Sequence, residues 1–209
     1  MQEGNYPVRL AAGAIALTAW LGLGAQLAAS AGVSASVPAA IWEMLRFFTI
    51  VASLLAAFAF TAIALGSRRA ESPFVLGGLT LSLLLVGLVH FLLLRDVVDP
   101  RRHSPLSDVL LHDAMPVLAA YYWYALTPKG GLHRRDPWLW ALLPIFYLLY
   151  ALARATLDGK YPYPFIDVAT IGWGRTGLNA IVIAIGFMAA GWGLVWLDSR
   201  LARDDRAEA

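Results

Sequence analysis

The sequence holds no cysteine, which excludes a thiolate nucleophile, a disulfide and thiolate-held zinc or iron–sulfur centres. Hydroxyls, imidazoles and carboxylates are then the groups to weigh first. Thr49 is the hydroxyl of most interest, because it follows Glu43 and Arg46 at the start of the otherwise apolar stretch 41–66. A threonine hydroxyl is a poor nucleophile until a base removes its proton. Histidine titrates near neutrality and suits that task. His112 is therefore paired with Thr49 as catalytic base. Asp108 stands four residues before His112, on the same helical face, where a carboxylate can orient the ring as the third member of a triad. An oxyanion would need a donor from Arg46, Asn179, a tyrosine such as Tyr150, or helix backbone amides, and residue types do not choose among these.

Each residue also has a plainer reading. Threonine in an apolar helix commonly bonds back to the carbonyl one turn earlier, and a buried histidine is commonly a satisfied packing residue. Glu43 and Arg46, three residues apart, suit an ion pair that positions the helix. His103 and His133 stand beside arginines and read as solvated loop residues. His90 closes an apolar run shortly before Arg95; it caps the helix, faces the same pocket, or pairs with His112 as an axial haem ligand. Asp108, His112 and Asp113 come nearest to a metal set without convincing ligand spacing, so neither metal nor cofactor is expected.

The elements that must position these groups are membrane spans. The chain is 59% apolar and only 14% charged, with a mean hydropathy of +0.64; an average soluble domain is about a quarter charged. Eight Trp, eight Tyr and nine Phe suit interfacial belts. The formal charge is +2, and the arginines come in pairs at the ends of apolar runs, which excludes a nucleic-acid-binding face. Six spans of near 20 residues are expected, at about 8–29, 41–66, 74–95, 106–126, 137–154 and 176–197. The run from Val8 to Ala29 is read as a span rather than a signal peptide. Connections marked by Ser36-Val37-Pro38, Glu71-Ser72-Pro73, Asp99-Pro100, Lys129-Gly130-Gly131 and Asp136-Pro137 are short, and predict an all-α bundle forming a single domain over 1–209. Lysines and arginines in the loops favour both termini on the cytoplasmic side, nine against six.

That topology brings scattered polar residues to one depth. Glu43, Arg46, Thr49 and Ser53 form one stripe of the second span at 100° per residue. Thr49 and His112 would each lie on the order of 10 Å below the start of their helices. His90 and Arg95 end the third span on the same side, Tyr147, Tyr150 and Arg154 the fifth, and Arg175 and Asn179 open the sixth. Ionisable residues inside a span point to function by default. The connection Asp158 to Asp167, rich in Pro and aromatics, reads equally as an interfacial anchor or as a lid.

Four stretches in order resemble the androgen-induced-gene and androgen-dependent TFPI-regulating protein family, especially its bacterial six-helix branch. They are Arg46-Phe47-Phe48-Thr49-Ile50, Leu110-Leu111-His112-Asp113-Ala114-Met115-Pro116, Tyr161-Pro162-Tyr163-Pro164-Phe165-Ile166-Asp167 and Gly172-Trp173-Gly174-Arg175. The resemblance implies a multi-pass hydrolase of lipid esters, in eukaryotic members fatty-acid esters of hydroxy fatty acids. It implies Thr49 as nucleophile and His112 as base, with His90 next in line. A membrane lipid or fatty-acyl ester is then the expected partner, in a bacterial inner membrane.

Overall fold

A computed structural model describes residues 6–95 and 104–207; Asp99, Pro100 and His103 of the third connection lie outside the described residues. Every regular element among the described residues is helical. The helices are α1 (Tyr6–Ala31), α2 (Val37–Met44), α3 (Phe48–Ala64), α4 (Pro73–Val89), α5 (Pro105–Asp108), α6 (Met115–Leu126), α7 (Asp136–Trp140), α8 (Leu142–Asp158) and α9 (Val168–Ala207). Short π-helical stretches extend α4 through His90–Leu94 and join α5 to α6 through Val109–Ala114.

Two of the expected breakers, at Ser36 and Ser72, act as helix starts, and so does Ser104 before Pro105. Ser36, Ser72 and Ser104 each place a hydroxyl against a backbone N–H three residues on, at 3.3, 3.3 and 3.4 Å. A proline follows within the first helical turn, where its missing N–H has no partner to lose. Among the described residues four helices are long and apolar enough to cross a membrane: Tyr6–Ala31, Pro73–Leu94, Asp136–Asp158 and Val168–Arg203. A fifth span arises if α2 and α3 are counted together. The stretch expected as a span at 106–126 is helical throughout but is divided by the π segment.

The second expected span is not one helix. α2 and α3 meet at a bend of 100°. Arg46 N–H and Phe47 N–H bond three residues back, to Glu43 and Met44, which tightens and ends α2. Phe47 is then extended (φ −94°, ψ 134°) and α3 starts afresh. The polar stripe is therefore divided: Glu43 is on α2, Arg46 in the turn, and Thr49 and Ser53 on α3. Nor does Thr49 lie some 10 Å along its helix; it is the second residue of α3.

The chain forms two compact units, residues 1–129 and 130–209. In the first, α1 packs along α3, α3 against α4, and α4 against α6. Ala12, Ala16 and Ala19 of α1 and Ala52, Ala56 and Ala57 of α3 are buried, the small residues that let membrane helices approach closely. Gly87 of α4 sits so near the π segment that an added Cβ would stand 2.9 Å from Pro116 and 3.1 Å from the His112 carbonyl oxygen. In the second unit, Asp198 is buried and its Oδ2 accepts from the Gly130 and Leu132 amides, both at 3.0 Å. α9 is interrupted near its start by Gly172, whose φ of 74° and ψ of 163° an L side chain would rarely adopt.

Candidate active site

Thr49, His112, Asp108 and His90 converge in the first unit. Thr49 is buried, and its Oγ1 lies 3.2 Å from His112 Nε2. The hydroxyl is thus directed at the imidazole rather than at a carbonyl one turn earlier. Two structural causes place it there. The break at Leu45–Phe47 puts Thr49 at the start of α3, without a preceding turn of that helix to bond back to, and the π segment Val109–Ala114, which carries His112, packs against α3. Single π turns of this kind recur at functional positions.

On the other side of the ring, His112 Nδ1 lies 2.9 Å from Asp108 Oδ1. The approach is oblique to the ring N–H direction, so the contact is chiefly electrostatic in this geometry. If Nε2 is to accept the threonine proton, the imidazole hydrogen must sit on Nδ1, the side that faces the carboxylate. The order hydroxyl, imidazole, carboxylate is the order of a Ser/Thr–His–Asp triad.

His90 is buried and stacks on His112, with ring centroids 4.1 Å apart and 17° between the planes. Its Nε2 lies 3.7 Å from Asp108 Oδ2. It faces the cluster rather than merely ending its helix. The stack also speaks to the metal and haem readings. His90, Asp108 and His112 offer ligand atoms within 4.8 Å of one another. Nearly parallel imidazoles, however, send their in-plane lone pairs side by side, so an ion at about 2.1 Å from both nitrogens would leave one ring plane or the other. Rings in direct contact leave no room for a porphyrin between them.

The remaining expected residues are placed as follows. Arg46, buried in the turn, pairs with Glu43 at 3.3 Å, three residues back. Tyr150 Oη accepts from Arg154 at 2.9 Å, and Arg154 also approaches Asp158 at 3.9 Å. Asn179 donates to the Phe165 carbonyl at 2.8 Å and so ties α9 to the connection before it, where the Tyr163 and Phe165 rings stack at 5.1 Å. Arg175 is exposed on α9. Tyr150, Arg175 and Asn179 belong to the second unit. His133 is largely exposed, as a loop histidine should be, with its amide bonded to Asp136 at 2.8 Å.

One group escapes any reading of side-chain types. The Ile50 and Val51 amides both donate to the Phe47 carbonyl, at 3.1 and 3.2 Å, whereas the Thr49 amide meets no backbone acceptor among the described residues. It is a helix N-terminal donor beside the hydroxyl, with the helix dipole behind it. No proline or glycine marks the break, so nothing in residues 45–47 announces it. Compared with protein-family models, curated proteins and solved structures, the chain finds no match.

Proposed function

We propose that this protein is an integral membrane threonine hydrolase of a lipid ester, with six spans and both termini cytoplasmic. The observation that carries the reading is the Thr49–His112–Asp108 alignment, at 3.2 and 2.9 Å, inside an otherwise apolar helical unit. The family resemblance of the four sequence stretches supports the same reading and offers fatty-acid esters of hydroxy fatty acids as one substrate class.

In the proposed reaction His112 Nε2 takes the Thr49 proton as Oγ1 bonds to the ester carbon. The oxyanion that forms is met by the Thr49 amide, in the manner in which a nucleophile's own N–H serves in serine hydrolases. Collapse breaks the bond to the alcohol oxygen, which leaves with the proton held by His112. Water, deprotonated by the same imidazole, then attacks the acyl-threonine and releases the fatty acid.

Depth favours a lipid substrate. At about 1.5 Å per residue, Thr49 stands roughly 22 Å from Ala64, His90 roughly 25 Å from Pro73, and His112 roughly 21 Å from Leu126. Arg68, Arg69 and Lys129 lie just beyond those helix ends. Across a hydrocarbon core of about 30 Å, the cluster falls in the leaflet remote from these charges, some 5–9 Å below its boundary. On the proposed orientation this is the outer leaflet.

The test is labelling of the detergent-purified protein with an alkyl fluorophosphonate, followed by mass spectrometry of the modified peptide. An adduct on Thr49, lost in Thr49→Ala and in His112→Ala but kept in Ser53→Ala, is expected. Equal labelling of all three variants, or none of the folded wild type, would overturn the assignment.

A further inference from the structure

The triad leaves one buried imidazole unused. His90 comes from a different helix than His112 and Asp108, yet it touches both: its ring lies on the His112 ring at 4.1 Å, and its Nε2 is 3.7 Å from the second oxygen of Asp108. Asp108 thus stands between two imidazoles, with Oδ1 toward His112 and Oδ2 toward His90.

The need for such a partner is visible in how Asp108 is held. It lies in the first turn of the helical stretch that begins at Pro105, and its side chain is 30% exposed, against 7% for His90. A carboxylate so placed has room to turn away from the ring, and an aspartate that turns away leaves the histidine free to flip or change tautomer. His90 is anchored on α4, which Gly87, three residues earlier, brings against the His112 backbone and Pro116. The His90 Nε2 stands 3.7 Å from the second carboxylate oxygen, within reach of its charge but beyond hydrogen-bond length, and the flat contact lies along the plane of the His112 ring. The stack has a further consequence. When His112 takes the threonine proton, the new imidazolium lies over a neutral π-face if His90 is uncharged, which is favourable.

We propose that His90 is a positioning residue of the hydrolase, acting on Thr49 through Asp108 and the His112 ring. The proposal rests on the threonine-hydrolase reading. Asp108 is a carboxylate that His90 faces, at 3.7 Å, while Glu43 and Arg46 pair with each other at 3.3 Å on the α2 side.

The experiment is a double-mutant cycle read by the rate of Thr49 labelling with the alkyl fluorophosphonate, resolved into kinact and KI on the full-length protein. His90→Ala is expected to slow kinact by roughly 30-fold with KI unchanged, and Asp108→Ala by roughly 100-fold or more. The double variant should be no more than about threefold slower than Asp108→Ala alone, because His90 acts through that carboxylate. His90→Phe, which keeps a ring on the stack but loses the donor, and His90→Asn, which keeps a donor but loses the ring, should each recover part of the rate. Both also guard against loss of folding in the alanine variant. Multiplicative losses in the double variant, full recovery by His90→Phe, or a wild-type rate in His90→Ala would overturn the proposal while leaving the hydrolase standing. Absence of any Thr49 adduct in the wild type would remove both.

Discussion

Two aspartates of this protein, Asp198 buried and Asp108 partly exposed, keep opposite company. Asp198, in the second unit, receives the backbone amides of Gly130 and Leu132 at 3.0 Å each. Its partners are fixed donors that never titrate, and the carboxylate holds a loop to a helix. Asp108, in the first unit, meets two imidazoles, one of which lies 3.2 Å from a threonine hydroxyl. Its partners are groups that can exchange protons, and with the threonine they are carried by three separate helical segments. Charge alone therefore does not distinguish a structural carboxylate from one poised for chemistry. The identity of the partners does.

Substitutions at the two sites should separate accordingly. Asp108→Asn, which keeps the shape but removes the charge facing the His112 Nδ1–H, is expected to slow Thr49 labelling by about 10²–10⁴-fold while leaving the thermal unfolding midpoint in detergent near that of the wild type. A rate within twofold of wild type would place Asp108 with Asp198 as a structural residue. Gly87→Ala puts a methyl against Pro116 and the His112 carbonyl. The resulting displacement of α4 from the π segment should cost on the order of 10- to 100-fold in labelling rate, since such reactions tolerate little misplacement. Unchanged labelling would show that the histidine is held independently of that approach. Asp198→Ala leaves two amides without their acceptor, and should destabilise the protein by about 1–3 kcal/mol with little change in the labelling rate per folded molecule. If instead labelling falls as far as in Asp108→Asn, the contrast between the two carboxylates fails.

Much of this cluster was legible from residue types and spacing. Asp108 and His112 share a face because four residues make about one helical turn, and Thr49 stood out as a hydroxyl in apolar sequence. The breaks at Ser36-Val37-Pro38 and Glu71-Ser72-Pro73 were legible too, since a cap and a proline in the first turn satisfy or remove amides that no helix can, whereas the start at Ser104 was not among the expected breaks. The bend between α2 and α3 was not. Leu45, Arg46 and Phe47 contain no breaker, so continuous helix was the natural expectation. Its absence moves Thr49 from the interior of a helix to the start of one. The π segments were equally silent, because a wider turn changes the direction of side chains without demanding a particular residue.

The amino-acid sequence by itself determined that this chain is helical, apolar and without thiol chemistry, and which few polar groups its apolar segments must accommodate. Those properties follow from composition and local periodicity, which act over single turns of chain. The tertiary structure alone decided that the second apolar stretch breaks at residues 45–47, that His90 lies flat on His112, and that Asp198 spends its charge on backbone amides. Each depends on contacts between segments far apart in the chain, where close packing selects one rotamer and one backbone path among several that local preference allows.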